Sequence, residues 1–269
     1  MSLLDPLSHA LAQTLHLAHA GLTALGPDPA SGLVWTASVA VLVVTVRLLL
    51  LPFAVHGVRT AHAAARARPQ LRALAETYRE RQDPASVRAY AEERRRVAAE
   101  HRLSPWGCLP VLVQVPIWFA LFHLLSDLAA GTPVGAVDTG LVASFGAATL
   151  VGVPLAQHGY AGLDVTHLAV IAGLAAAAAT LSFVTQRFLV LPNAVPYDGG
   201  TVMTQVLQAM PLLSAVALLV TSAFVPVALL VYWVVNSSWT LLQTAVVVRW
   251  WPTPGSPAAQ RAALRRRAA

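Results

Sequence analysis

The stretch LVWTASVAVLVVTVRLLLL, residues 33–51, decides the reading of this chain. As a helix it reaches about 28 Å at 1.5 Å per residue, close to the hydrocarbon thickness of a bilayer. It carries one charge, Arg47. A guanidinium stays protonated at any accessible pH, and a mid-helix arginine costs roughly 2.5–3.5 kcal/mol on insertion scales, so Arg47 needs a way out or a task. Pro52 ends the stretch about 7 Å further along by helical rise, near enough for the long side chain to snorkel to the headgroups. On this segment alone, snorkelling and function both stay open.

Composition agrees with a membrane setting. Of 269 residues, 57% are hydrophobic and 11% charged, with a mean hydropathy of +0.62. These values exclude an ordinary soluble domain. Every one of the 18 basic residues is Arg, and 12 acidic residues leave a net charge of +6, which suits anionic lipid or RNA-rich partners. Cys108 is the only cysteine, so an intrachain disulfide and a cysteine metal cluster are both excluded.

Four more stretches are apolar and long enough to span: Trp106–Ser126, His167–Leu191, Met203–Thr221 and Pro226–Val248. Residues 202–248 as one helix would be about 70 Å long, so the chain must turn back. Ser222–Pro226 is the place, because proline suits the start of a new helix. Eleven arginines lie between Phe53 and Leu103 and five follow the last span, whereas residues 1–32 and 131–166 have none. The positive-inside rule then predicts five spans, with the N-terminus outside and the C-terminus in the cytoplasm. Leu141–Ala156, apolar but broken by Gly146, Gly152 and Pro154, is accordingly an extracytoplasmic loop or interfacial element.

The expected fold is an all-α polytopic membrane protein of five transmembrane helices, with a cytoplasmic helical hairpin and an N-terminal interfacial amphipathic helix. Residues 1–32 form that helix and a linker, and 33–52 the first span. Residues 53–105 form the hairpin, 106–126 the second span, 127–166 an extracytoplasmic loop and 167–191 the third span. Residues 192–202 are a cytoplasmic loop, 203–221 and 226–248 the last two spans, and 249–269 a basic cytoplasmic tail. Nothing basic precedes Arg47, so the N-terminus is expected to stay attached. Its leucines recur at helical spacing, with His9, His16 and His19 at solvated polar positions; no carboxylate or thiol joins them, and no metal site is expected. The hairpin carries eleven Arg against six acids. Its break falls at Gln82–Ala85, and Leu71, Leu74 and Tyr78 face Val87, Tyr90 and Val97 in a thin seam.

After the hairpin comes SPWGCLPVLVQVPIWFALF, residues 104–122. This pattern resembles the span following the cytoplasmic hairpin in YidC-type membrane protein insertases. Residues 46–52 (VRLLLLP), and Met210-Pro211 leading to residues 231–236 (VYWVVN), resemble the same family in order. The resemblance covers about residues 33–250. It implies a non-enzymatic, cofactor-free insertase and chaperone of the bacterial plasma membrane. Such a protein receives nascent membrane proteins in a hydrophilic groove open to the cytoplasm and releases their apolar spans into lipid without nucleotide hydrolysis. By motif match, Arg47, Gln114, Gln186, Trp233 and Asn236 belong to the groove, and Val43 and Trp118 to the path to lipid between the third and fifth spans. Implied partners are the Sec translocon for some substrates, the ribosome through the hairpin and basic tail, and anionic lipid. No sequence-specific nucleic-acid binding is implied.

The chemistry can be reasoned beside the name. An acidic substrate tail leaving water gains a charge-assisted bond to Arg47. Gln114, Gln186 and Asn236 offer neutral donors and acceptors that keep a groove wet, although either Gln could instead be an ordinary interhelical bond. No span offers an acidic residue at the depth of Arg47, so its expected partner is a passing substrate rather than a fixed carboxylate. The rival reading is a small-molecule transporter or channel, but there is no internal repeat and no paired intramembrane carboxylate. An intramembrane protease would use Ser237 or Ser238, and neither sits in a nucleophile motif.

Overall fold

The computed structural model describes residues 5–81, 83–103, 109–160, 164–196 and 201–268. Trp106, where the sequence places the start of the second span, lies outside these, as do Cys108 and Gln82.

Helix α1 (Asp5–Thr23) leads into α2 (Gly32–Leu49), and α3 (Leu51–Thr77) continues it after the single residue Leu50. Pro52 explains that joint, since it brings no amide to the ladder and fits only the first turn of a new helix. Helix α4 (Pro84–Glu100) starts after Asp83, whose carboxylate accepts from the Ser86 amide at 2.9 Å. It lies against α3, with the Tyr78 and Tyr90 rings 5.8 Å apart. Leu74 is buried in this pair, but Val87, expected in the seam, is 55% exposed.

Next come α5 (Leu109–Ala129), α6 (Thr139–Ala147) and a two-stranded antiparallel hairpin, β1 (Thr149–Leu150) and β2 (Val153–Pro154). At nine residues α6 is about 14 Å long, too short to cross a bilayer. Helix α7 (Val165–Val184) runs into a π-helical turn, Thr185–Val190, and a last short piece, α8 (Leu191–Asn193). Then follow α9 (Thr201–Thr221), α10 (Val227–Trp250) and α11 (Pro257–Ala268).

Four helical segments are long and apolar enough to cross a membrane: Gly32–Leu49, Leu112–Ala129, Val165–Asn193 and Val202–Thr221. Helix α9 makes the physical case plainly, because Met210, Leu212, Leu213, Val216 and Val220 are all exposed. A row of this kind is stable against hydrocarbon and not against water.

One end of the bundle is closed by α1, α6 and the β-hairpin. Leu11, Ala12, Leu15 and His19 of α1 are buried in the packing with α2 and α5. His19 is therefore not the solvated residue the sequence suggests. Its ring stacks on Trp35 at 4.2 Å and its Nε2 bonds to the Pro29 carbonyl at 2.9 Å. Trp35 is fully buried, meets Phe145 edge-on at 5.2 Å, and donates to Ser144 Oγ at 3.1 Å. The first amides of α10 are satisfied by the segment after β2, Val227 N to Gln157 O and Ala228 N to Leu155 O, both at 3.0 Å. Such backbone donors would otherwise be orphans.

The opposite end holds α3, α4, α8 and α11 together. Arg68 donates to Val195 O at 2.9 Å and Arg72 to Pro196 O at 3.1 Å. The Thr253 amide donates to Asn193 Oδ1 at 2.8 Å, and Ser256, Ala258 and Ala262 of the tail are buried.

Candidate functional site

Arg47 sits in the last turn of α2, half-buried, on the side facing α10. Its Nε and Nη2 both donate to Asn236 Oδ1, at 3.1 and 2.5 Å, and Nη2 also reaches Thr240 Oγ1 at 3.3 Å. The Thr240 hydroxyl in turn donates to the Asn236 carbonyl at 2.8 Å. Asn236 and Thr240 are one turn apart on α10, so a single face presents both acceptors. Among the described residues no carboxylate stands within ion-pairing distance of Arg47, and Nη1 has no protein partner. A neutral amide thus fixes the direction of the guanidinium while its full charge is kept.

Arg47 opens onto a cavity of about 310 Å³ lined also by Leu50, Phe53, Ala54, Gln114, Val115 and Gln243. At roughly 30 Å³ per molecule this space holds several waters. Gln114 enters from α5 and Gln243 from α10. Gln243 Oε1 accepts from Trp239 Nε1 at 2.8 Å, which leaves its amide donors for the cavity. Trp118, one turn beyond Gln114 on α5, is 40% exposed, meets Phe119 edge-on at 5.0 Å and lies tilted beside Phe122 at 6.1 Å.

The remaining expected residues lie elsewhere. Gln186, in the π-helical turn, donates to Ser182 Oγ at 3.2 Å and Ser214 Oγ at 2.6 Å, tying α7 to α9 rather than facing Arg47. Val43 is only 2% exposed, inside the packed core. Trp233 is likewise buried, in the first half of α10, not on the cavity wall. Helix α7 packs along α10 with Ile171, Ala175 and Ala178 fully buried, so the path expected between the third and fifth spans is filled by side chains.

Two site residues escape the motif reading, Thr240, which Arg47 reaches, and Gln243 of the cavity wall. A signal for them exists in the sequence. Asn236, Thr240 and Gln243 stand at helical spacing in an apolar run, a polar stripe on one face.

Fold and site together define a polytopic α-helical membrane protein that holds a half-buried cation beside a largely apolar cavity that two glutamines enter. The chain belongs to the 60Kd inner membrane protein family, whose model matches residues 28–253. It is 32% identical over 245 residues to the membrane protein insertase YidC of Streptomyces avermitilis, which covers 85% of this chain and 54% of that relative. Over 263 residues it is 25% identical to the YidC insertase of Bifidobacterium longum, covering 96% of this chain and 78% of the relative. For that of Tropheryma whipplei the figures are 27% over 274 residues, 95% and 86%. The chain thus spans about half the length of the first of these. The resemblance carried by residues 104–122 is shown, and the chain is a multi-pass protein of the bacterial membrane.

Proposed function

We propose that this protein is a membrane protein insertase and chaperone that receives nascent membrane proteins at the Arg47 cavity and releases their apolar spans into lipid without nucleotide hydrolysis. One observation carries the reading: in a family whose relatives bear the insertase name, Arg47 is held by a neutral amide beside a cavity that Gln114 and Gln243 enter, and its Nη1 has no partner among the described residues. A fixed carboxylate would neutralise the cation. Asn236 leaves it able to attract an acidic segment on its way across the membrane.

In this reading α10 is the fifth span, despite the polar stripe that lowers its hydropathy, and the stripe is what wets the cavity. The α1 end lies outside the cell, and the arm of α3 and α4 lies in the cytoplasm with the α11 tail. The groove residues are Arg47, Asn236, Gln114, Thr240 and Gln243. Gln186 and Trp233 support the helices that frame them. The way to lipid runs past Val115 and Trp118 on the exposed side of α5. Arginines of the arm and Arg265, Arg266 and Arg267 of the tail attract the ribosome and anionic lipid, and the Sec translocon is a partner for some substrates.

Photocrosslinking of a stalled nascent membrane protein tests this, with probes at Gln114, Trp118 and Gln243 and controls at lipid-facing Leu213 and buried Val43. The three cavity probes should label the substrate and the controls should not. Equal labelling at Leu213 would sink the groove.

A further inference from the structure

A second cleft lies beside the first, between the opening turns of α3 and the closing turns of α10, with a volume of about 370 Å³. Leu51, Ala54, Val55 and Val58 line one wall and Val246 and Val247 the other. The spacing on α3 makes one continuous apolar stripe, and across from it α10 offers the matching pair. Gln243 and Ala54 border this cleft and the Arg47 cavity alike. Leu51, Val55 and Val246 are each about two-fifths exposed, so the cleft is open along its length.

Its chemistry changes at one end, where Arg59, His62 and Trp251 complete the lining. Arg59 is exposed and makes no ion pair or hydrogen bond among the described residues. His62 has its Nε2 buried with no hydrogen-bond partner, a state that disfavours an empty cleft, since an unmet polar group gains from any donor or acceptor the ring can turn to meet. Trp251, 61% exposed at the end of α10, is a residue type that concentrates at the membrane-water boundary.

We propose that this cleft binds one anionic phospholipid, an acyl chain lying between the α3 and α10 stripes and the phosphate held by Arg59, with His62 turning to bond it. Charge complementarity selects this occupant. A cation without a partner stands where an apolar channel reaches the boundary, and an anionic headgroup on a hydrocarbon tail matches both parts at once. A peptide segment or second copy of the chain could bring a carboxylate, but not an anion joined directly to an unbranched hydrocarbon chain long enough to follow the α3 and α10 stripes. The site is separate from the Arg47 cavity in its ligand, yet the shared Gln243 means that an occupied cleft limits where that side chain can swing.

The test is native mass spectrometry of the full chain in detergent, titrated with phosphatidylglycerol, with phosphatidylcholine, and with glycerophosphoglycerol as a headgroup lacking chains. One phosphatidylglycerol should be retained in clear preference to phosphatidylcholine, and the headgroup alone should not bind. Arg59→Gln should weaken retention about fivefold, the scale of one arginine at an anionic membrane surface. Ala54→Phe, which fills the channel and leaves Arg59 in place, should weaken it as well, whereas Arg88→Gln on α4 and Arg47→Ala should leave it unchanged. A benzophenone at Val55 in cells should gain the mass of one phospholipid. Equal retention of the two lipids, binding of the bare headgroup, no loss in Arg59→Gln, or a Val55 adduct made of polypeptide would each overturn the site. The Arg47→Ala arm separates its failure from failure of the insertase reading.

Discussion

Replacing Asn236 by Ala probes the site at its most specific point. The change removes the oxygen that accepts from Arg47 Nε and Nη2 at 3.1 and 2.5 Å and leaves the charge itself intact. A hydrogen bond to a charged group contributes about 1.5–3 kcal/mol in water-soluble proteins. Interhelical polar contacts in membranes average only about 0.6 and reach about 1.7 kcal/mol. With Arg47 half-buried beside a wettable cavity, about 1–2 kcal/mol is expected for the pair. If Asn236 acts by orienting Arg47, that energy is the coupling in a double-mutant cycle, a factor of about 5 to 30 in insertion rate. The assay is insertion into liposomes of a substrate with an acidic translocated tail, read by protease protection, for the parent, Arg47→Ala, Asn236→Ala and both together. Asn236→Ala should slow the parent but add nothing once Arg47 is gone, and a neutral-tailed substrate should be spared throughout. Arg47→Lys should fall between parent and Ala, since it keeps the charge and loses the side-on fork. Additive effects, with a coupling under about 0.3 kcal/mol, would refute the orienting role.

Four further outcomes are expected. Val151, at the tip of the β-hairpin, is a β-branched residue with φ of 52°; Val151→Asn should raise stability by about 1 kcal/mol, read as the thermal midpoint in detergent. A Cβ on Gly32 would overlap the Thr149 carbonyl, so Gly32→Ala should lower that midpoint by the equivalent of about 1–3 kcal/mol. The Asp83 carboxyl is held below its ordinary range by hydrogen bonds from Ser86. Its contribution to α4 is therefore complete above the unfolded pKa of about 3.9 and lost as pH falls through the lower folded value; amide exchange at 85–90 should rise only in strong acid, and Asp83→Ser should remove that pH dependence. Arg68→Gln with Arg72→Gln should speed amide exchange across 191–196 by loosening the bonds to the Val195 and Pro196 carbonyls, each contributing about 0.5–1.5 kcal/mol.

Much of the site was legible because its residues are chemically expensive where they stand. Arg47 in an apolar run demands an explanation from sequence alone, and the motif around Gln114 supplies the element that comes to meet it. What periodicity could not supply is the direction of a side chain in a bundle whose helices are apolar on every side. Val43 and Trp233 share a family pattern with Arg47 and Asn236 but turn inward, where packing density decides. Gln186 stands in the π-helical turn, where the extra residue per turn shifts the helical face, and nothing in residues 185–190 announces that turn. The partner of Arg47 was half foreseen. The lack of an acid at its depth was visible, but the amide that takes that place is itself a member of the polar stripe, recognisable only once α10 is set against α2.

The amides that bind α10 to the segment 155–157 give the helix a fulcrum. Rotation of 5° about that point carries the far end of its 24 residues through about 3 Å and the level of Asn236 through about a third of that. Any such tilt would displace the cleft lining near Trp251 further than the wall of the Arg47 cavity, because Trp251 lies further from the anchored end. At that far end the Thr253 amide is bonded to Asn193 Oδ1, so a tail segment that lines neither cavity ties the free end of α10 to α8.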